Sequence, residues 1–321
     1  MKLLVQGAAE ASDVPGLDAA AQGLDVVFAP GGDALAAHLP GTRILLGWDF
    51  RGKELADSWH RADSLDWIHW CGAGVDAVLF PELVQSDVIL TNSRGLFDRA
   101  MAEYVLCYML SEAKLLRQSF ELQSRREWKN RFTTKLAGQR ALVFGVGSIG
   151  REIARLLQAV GVSVAGVGRS ARPGDDCFDA IYAGDDVLDK VSKADWLIGV
   201  MPATKQTDRY FGKQFFAAMH QGARFINLGR GQAVDEAALL AVLGDNTIAG
   251  AMLDVFDNEP LPPENPLWQA PNLFVSAHMS GDYEGYFVDI AQMFFDNLAR
   301  YQGRQPLHNV VDKNLGFVPS S

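Results

Sequence analysis

The chain has 321 residues, a formal net charge of −10, 48% hydrophobic residues and 21% charged residues. This is an ordinary globular mixture with apolar material for two cores, which excludes a wholly disordered chain. The acidic balance disfavours nucleic acid and anionic membrane as general partners, and no apolar run approaches membrane-spanning length.

The chain opens MKLLVQGAAE, an apolar run too short for a signal peptide and read as a first strand, so the cytoplasm is the expected location. Val318-Pro319-Ser320-Ser321 reads as a loose tail. The three cysteines, Cys71, Cys107 and Cys177, are far apart and form no CxxC pair, which argues against a disulfide framework and a zinc site. No metal is expected.

Short runs at residues 2–5, 25–28, 43–46, 67–70 and 88–91 read as strands, being rich in Val, Ile, Leu and Trp and bounded by Gly, Asp or Pro. Their rhythm predicts a parallel sheet covered by helices. Residues 98–128 read as one long helix, with Ala102, Tyr104, Val105, Tyr108, Met109 and Ala113 on a broad apolar face. That length suits a bridge between domains, a dimer interface or a plain core helix. A second alternating series follows, with strands at 141–144, 162–167, 179–182, 196–200, 224–227, 249–253 and 273–276. Helical spacing occupies 149–160, 234–243 and 283–301.

The sharpest motif is Gly145-Val146-Gly147-Ser148-Ile149-Gly150, set between a strand and a helix. Its glycines allow a tight turn, close approach of a pyrophosphate and close helix-to-strand packing, while the helix N-terminus offers N–H groups to phosphate. A lone glycine-rich turn is weak evidence; the strand before it and the helix and second strand after it make this one a dinucleotide site. Where that second strand ends, an NAD enzyme usually carries Asp or Glu for the ribose hydroxyl. Here the sequence is Val167-Gly168-Arg169-Ser170-Ala171-Arg172, with no carboxylate before Asp175. Arg169, Ser170 and Arg172 suit a 2′-phosphate, so NADP(H) is favoured over NAD(H).

Three later strand ends carry reactive side chains: Asn227-Leu228-Gly229-Arg230-Gly231, Asp254-Val255-Phe256-Asp257-Asn258-Glu259-Pro260 and Ser276-Ala277-His278-Met279. Ligands of open α/β sheets bind beyond the carboxyl ends of strands, so Arg230, Glu259 and His278 are expected to converge there. Taken singly, each has an ordinary structural explanation. His38, His60, His69, His220 and His308 are read as structural or exposed.

On these residues the chain resembles the D-isomer-specific 2-hydroxyacid dehydrogenases, in particular the glyoxylate/hydroxypyruvate reductase-like branch. The resemblance covers nearly the whole chain and is strongest at Leu136-Ala137-Gly138, the glycine motif, Met201-Pro202-Ala203-Thr204, Asn227 to Gly231, Asp254 to Pro260 and Ala277-His278. It implies an α/β fold of two Rossmann-like or flavodoxin-like domains with parallel sheets and a cleft between them. Residues 1–100 plus 284–321 would form a discontinuous substrate-binding domain, and residues 101–283 the dinucleotide-binding domain. It also implies a homodimer built largely on the nucleotide domain.

The implied activity is NADPH-dependent reduction of a small 2-keto acid to a D-2-hydroxy acid. Arg230 would hold the substrate's carboxylate and carbonyl oxygens. His278 would be the general acid, oriented and kept protonated by Glu259; positioned proton transfer contributes about a hundred- to ten-thousand-fold in rate. Met201, Pro202, Leu228, Gly229 and Asp254 would join the glycine turn in binding cofactor. Ala73 and Gly74, in Cys71-Gly72-Ala73-Gly74, match the family's substrate-carboxylate loop, and Trp48 would cap the substrate. Phe50, Phe97, Met279, Tyr283 and Tyr286 are further candidates for shaping that site, and Glu103 matches a structural position. Two alternatives share the scaffold: a non-catalytic NAD(P)-sensing protein of the C-terminal-binding-protein corepressor type, and a short NAD-linked phosphoglycerate dehydrogenase. Glu259 argues against formate dehydrogenase-like members, which pair the histidine with Gln.

Overall fold

A computed structural model describes residues 1–184 and 187–319. The chain divides into two compact units, Met1–Phe97 with Tyr283–Ser321, and Asp98–Asp282, the first boundary falling between Phe97 and Asp98 rather than after residue 100. Both are α/β with parallel sheets, as the strand rhythm predicts. Among the described residues no helix is long and apolar enough to cross a membrane.

The first unit holds strands β1 (Lys2–Gln6), β2 (Asp25–Ala29), β3 (Ile44–Gly47), β4 (Trp67–Trp70) and β5 (Ile89–Asn92), all parallel in the order β2-β1-β3-β4-β5. Every residue of β3 and β4 is buried, because a parallel sheet is covered on both faces. Alternation then sends neighbours to opposite layers. Ile68 joins Leu4, Leu45 and Leu90 in one core, while Trp67 stacks on Phe294 and Tyr301 of the helix Tyr286–Gln302. The C-terminal segment is part of this unit. Val311 donates its N–H to Leu90, and the Lys313 ammonium donates to the carbonyl oxygens of Leu83 and Val88, both at 3.0 Å. The expected loose tail begins anchored, since Arg94 Nη1 donates to the carbonyls of Val318 and Pro319 at 3.3 and 3.2 Å; Ser320 and Ser321 lie outside the described residues.

The second unit holds β6 (Arg140–Phe144), β7 (Ser163–Val167), β8 (Arg172–Pro173), β9 (Ala180–Tyr182), β10 (Trp196–Gly199), β11 (Arg224–Asn227), β12 (Gly250–Leu253) and β13 (Leu273–Val275). Their order is β13-β12-β11-β10-β6-β7-β9-β8, parallel except for β8, which runs against β9. The direction of chain progression reverses between β10 and β6, the position where such sheets open a crevice beyond their carboxyl ends. Phe144, Phe211, Phe215, Phe216 and Phe225 fill one layer beneath it by edge-to-face packing, with ring centroids as close as 4.8 Å.

One long helix over residues 98–128 is not what forms. The helix Asp98–Ala113 ends, Leu115 takes the left-handed conformation, and a second helix spans Leu116–Ser124. The cause is a bond from far along the chain: the Thr134 N–H takes the Ala113 carbonyl at 3.0 Å, and Lys114 Nζ donates to the Thr134 carbonyl at 2.7 Å. Residues 127–135 return without helix or strand, with Trp128 and Phe132 fully exposed at 102% and 101%.

Candidate active site

The glycine turn lies where β6 meets the helix Ser148–Ala159. Gly145 has φ 109°, and a Cβ there would stand 2.8 Å from the Val200 carbonyl oxygen, so the turn presses against the end of β10. A Cβ on Gly150 would fall 1.9 Å from the Gly145 carbonyl oxygen, which fixes how closely helix meets turn. Among the described residues nothing lies within 4 Å of the corresponding position on Gly147, the helix N-cap, and no side chain caps that end. Open space before an uncapped helix N-terminus fits a pyrophosphate. Ser148 and Ile149 form the first helical positions, and Ser148 Oγ donates to Asp98 Oδ1 at 3.3 Å.

Beyond β7, Arg169, Ser170 and Arg172 are all exposed. Arg172 folds back so that Nη1 is 4.0 Å from where a Cβ would stand on Gly168, at the carboxyl end of β7. Met201 and Pro202 follow β10. The Pro202 carbonyl accepts from Thr207 Oγ1 at 2.7 Å, and Gly229 packs against the Met201 backbone so tightly that a Cβ would meet it at 2.7 Å.

Arg230, Glu259 and His278 are linked through one chain of contacts. Asn227, buried at the end of β11, sets the Arg230 loop: its Nδ2 donates to the Arg230 carbonyl at 3.0 Å and its Oδ1 accepts from the Gly229 N–H at 3.3 Å. Leu228 is buried beside it. The next residue, Gly231, lies against the Phe256 backbone, where a Cβ would come within 1.9 Å. The Phe256 N–H in turn donates to Glu259 Oε1 at 2.8 Å, and Glu259 Oε2 lies 2.7 Å from His278 Nδ1. Burial pushes the Glu259 carboxyl up. The His278 ring, the Phe256 N–H and the charges of His278 and Arg230 outweigh that and hold it below its ordinary value of 4.5.

His278 is a non-glycine residue at φ 50°, a conformation that needs support from its surroundings. Asp254, 1% exposed and expected among the cofactor residues, supplies it. Its carbonyl accepts from the His278 N–H at 2.8 Å. Its carboxylate accepts from Ser276 Oγ at 2.6 Å and from the Met279 and Ser280 N–H groups at 3.0 Å each.

The first unit presents its own strand ends. Ala73 and Gly74 follow β4, and this loop is tied to β5: Asn92 Nδ2 donates to the Ala73 carbonyl at 2.6 Å and the Ser93 N–H to the Gly72 carbonyl at 3.1 Å. Trp48 follows β3, is largely buried, and lies 5.6 Å from the Phe287 ring, which leads on to Tyr286. Phe97 and Tyr283 approach Tyr286 as well. Asn92, Ser93 and the bonding role of Asn227 carry no local signal in the sequence, because each acts through a bond to a neighbouring strand end.

Residues 106–280 match the family model for the NAD-binding domain of D-isomer-specific 2-hydroxyacid dehydrogenases. The chain belongs to that family. Its members are NAD(P)-dependent oxidoreductases, so the expected enzyme class follows from membership. The chain is similar to glyoxylate/hydroxypyruvate reductase A of Serratia proteamaculans, with 31% identity over 77% of this chain and 80% of that protein. A family structure from Aeromonas salmonicida is 32% identical, covers 97% of this chain and 98% of its own, and superposes with a TM-score of 0.84. An NADPH-dependent glyoxylate/hydroxypyruvate reductase from Sinorhizobium meliloti, solved with NADP and sulfate, is 28% identical over 98% of this chain and 99% of its own, with a TM-score of 0.85.

Proposed function

We propose that this dehydrogenase reduces small 2-keto acids of the glyoxylate or hydroxypyruvate kind to D-2-hydroxy acids and takes NADPH as its reductant. The observation that carries the reading is the 2.7 Å contact of His278 Nδ1 with Glu259, beside an arginine loop on the same sheet end as the glycine turn. A bound reduced nicotinamide supplies the hydride. The remaining work falls to the chain. Glu259 accepts from Nδ1–H, which fixes the ring and directs Nε2, the nitrogen it does not engage, towards the substrate carbonyl oxygen. The proton on Nε2 passes to that oxygen as negative charge develops there. Arg230 binds the substrate carboxylate and steadies the same charge with its planar donors. Arg169, Ser170 and Arg172 supply the donors for a 2′-phosphate, in line with the NADP bound by the Sinorhizobium relative.

A kinetic screen of keto acids with NADPH and NADH tests this. Turnover of glyoxylate or hydroxypyruvate with higher kcat/KM for NADPH is the expected result. Negligible turnover across the panel, with cofactor still bound, would replace it with the sensor alternative; a clear NADH preference would remove the NADPH assignment. The same reading includes a homodimer formed through the second unit. Trp128 and Phe132 support it, because two fully exposed aromatic side chains on one short segment are the kind of surface that a partner covers.

A further inference from the structure

The hairpin after β7 carries opposing charges within a few residues. Arg169 and Arg172 favour a 2′-phosphate, whereas Asp175 and Asp176 oppose one. Arg169 lies between β7 and β8, Arg172 opens β8, and Asp175 and Asp176 lie in the turn that joins β8 to β9, which pair through Arg172 with Ile181 and Pro173 with Ala180. A structural carboxylate pair this close to a phosphate subsite has to be neutralised, or it cancels the cations that make the subsite.

Arg151 does this. It is the first residue after the glycine turn, on the helix Ser148–Ala159. Its Nη2 donates to Asp175 Oδ2, and its Nη1 donates to Asp176 Oδ1 at 3.1 Å. Its guanidinium lies 5.9 Å from the buried Phe178 ring, which limits where the fork can point. Arg155, one turn further along, reaches Asp176 Oδ2 at 3.5 Å. The other oxygen of Asp175 accepts the Cys177 and Phe178 N–H groups at 2.9 and 3.2 Å. Both carboxylates are thereby engaged on the helix side of the hairpin. The thiol of Cys177 lies within 4.8 Å of their ligand atoms, but two guanidiniums already occupy this acidic group.

We infer that Arg151 is a positioning residue for cofactor selection: by holding Asp175 and Asp176 it keeps the field at Arg169 and Arg172 positive, and so sets the preference for a 2′-phosphorylated dinucleotide. The inference rests on the NADPH reading above. It is specific to this chain's own charges, and it places a selectivity determinant on the helix after the glycine turn, outside the loop that touches the ribose.

The test uses the full chain and two probes that undergo no hydride transfer, adenosine 2′,5′-bisphosphate and adenosine 5′-monophosphate, titrated by calorimetry. The wild type is expected to favour the bisphosphate. Arg151→Ala is expected to cut that preference about tenfold, the scale of one charge-assisted hydrogen bond, with monophosphate affinity changed less than about threefold. Arg151→Lys, which retains the charge, should keep most of the preference. Arg151→Ala/Asp175→Asn/Asp176→Asn removes the repelling charges but keeps an oxygen acceptor at each position, so it should recover the preference. Recovery also decides the matter if Arg151→Ala alone lowers thermal stability. A preference unaffected by Arg151→Ala, or one that the triple variant fails to recover, overturns the role of Arg151. A wild type that binds both probes equally removes the NADPH reading itself and this inference with it.

Discussion

The imidazole Nδ1 of His278 lies 2.7 Å from Oε2 of Glu259, with the two side chains 35% and 32% exposed. Half-shielded, the pair holds one geometry while the ring still reaches solvent or a ligand. Replacing His278 by Ala is expected to lower kcat about a hundred- to ten-thousand-fold, as loss of a positioned proton donor does. NADPH binding, followed by fluorescence titration, should stay close to that of the wild type. Unchanged turnover would take His278 out of the mechanism.

Glu259 gives a pH dependence with a defined sign. Its folded-state pKa lies below the unfolded value, so its contribution to stability is complete above about pH 4.5 and is lost as pH falls through the folded value. The thermal midpoints of wild type and Glu259→Gln should therefore differ above pH 5 and converge as the solution becomes more acid. A gap that widens towards low pH contradicts the assignment.

His69 contributes over a different range. It is fully buried between strand and helix, its Nδ1 is 2.8 Å from Thr91 Oγ1, and burial pushes its pKa from 6.5 down to about 3. The unfolded chain takes up a proton below pH 6.5 that the folded chain refuses. Stability from this residue is thus intact above pH 6.5 and falls by about 1.4 kcal/mol per pH unit between there and about pH 3. Urea unfolding of the wild type and His69→Phe across this range should show the wild type losing stability more steeply than the variant, by about that slope.

Asp254→Asn tests the turn that carries His278. An amide cannot accept at both ends, so one of the Met279 and Ser280 N–H groups loses its acceptor. The expected cost is about 1–3 kcal/mol in unfolding free energy. A misaligned imidazole should also lower kcat by more than any change in KM for the keto acid. Equal stability and full turnover would show that the turn holds without this carboxylate.

Trp128→Ala/Phe132→Ala addresses assembly. Sedimentation velocity should show a dimer for the wild type and a weakened one for the variant, since each large apolar side chain contributes about 1.5–3 kcal/mol when fully covered. A monomeric wild type, or an unaltered variant, would dismiss these residues as the interface.

Much of this architecture is legible locally. The run Trp67–Trp70 is a strand because all four of its side chains are buried, and Gly145 to Gly150 announce a phosphate turn because strand, turn and helix adjoin in sequence. What escapes is whatever depends on distant partners. The helix break at Leu115 involves no Gly or Pro; it follows from Thr134 taking the Ala113 carbonyl. Strand β8 has two residues, one of them Pro173, and pairs with β9 through the hairpin. In sequence Asp175 is the first carboxylate after the ribose loop; only the fold reveals that Arg151, 24 positions earlier, has claimed it.

The first unit closes with the last residues of the chain. Leu90 receives Val311, Asp66 receives Tyr301, and Lys313 gathers the carbonyls around Leu83 and Val88. The N-terminal strands are therefore completed by segments from far along the chain, while the second unit is the contiguous segment Asp98–Asp282. The cover of β4 and β5 is thus a long-range closure, with Asp66 and Tyr301 lying 235 positions apart, whereas the nucleotide-binding unit is one unbroken segment.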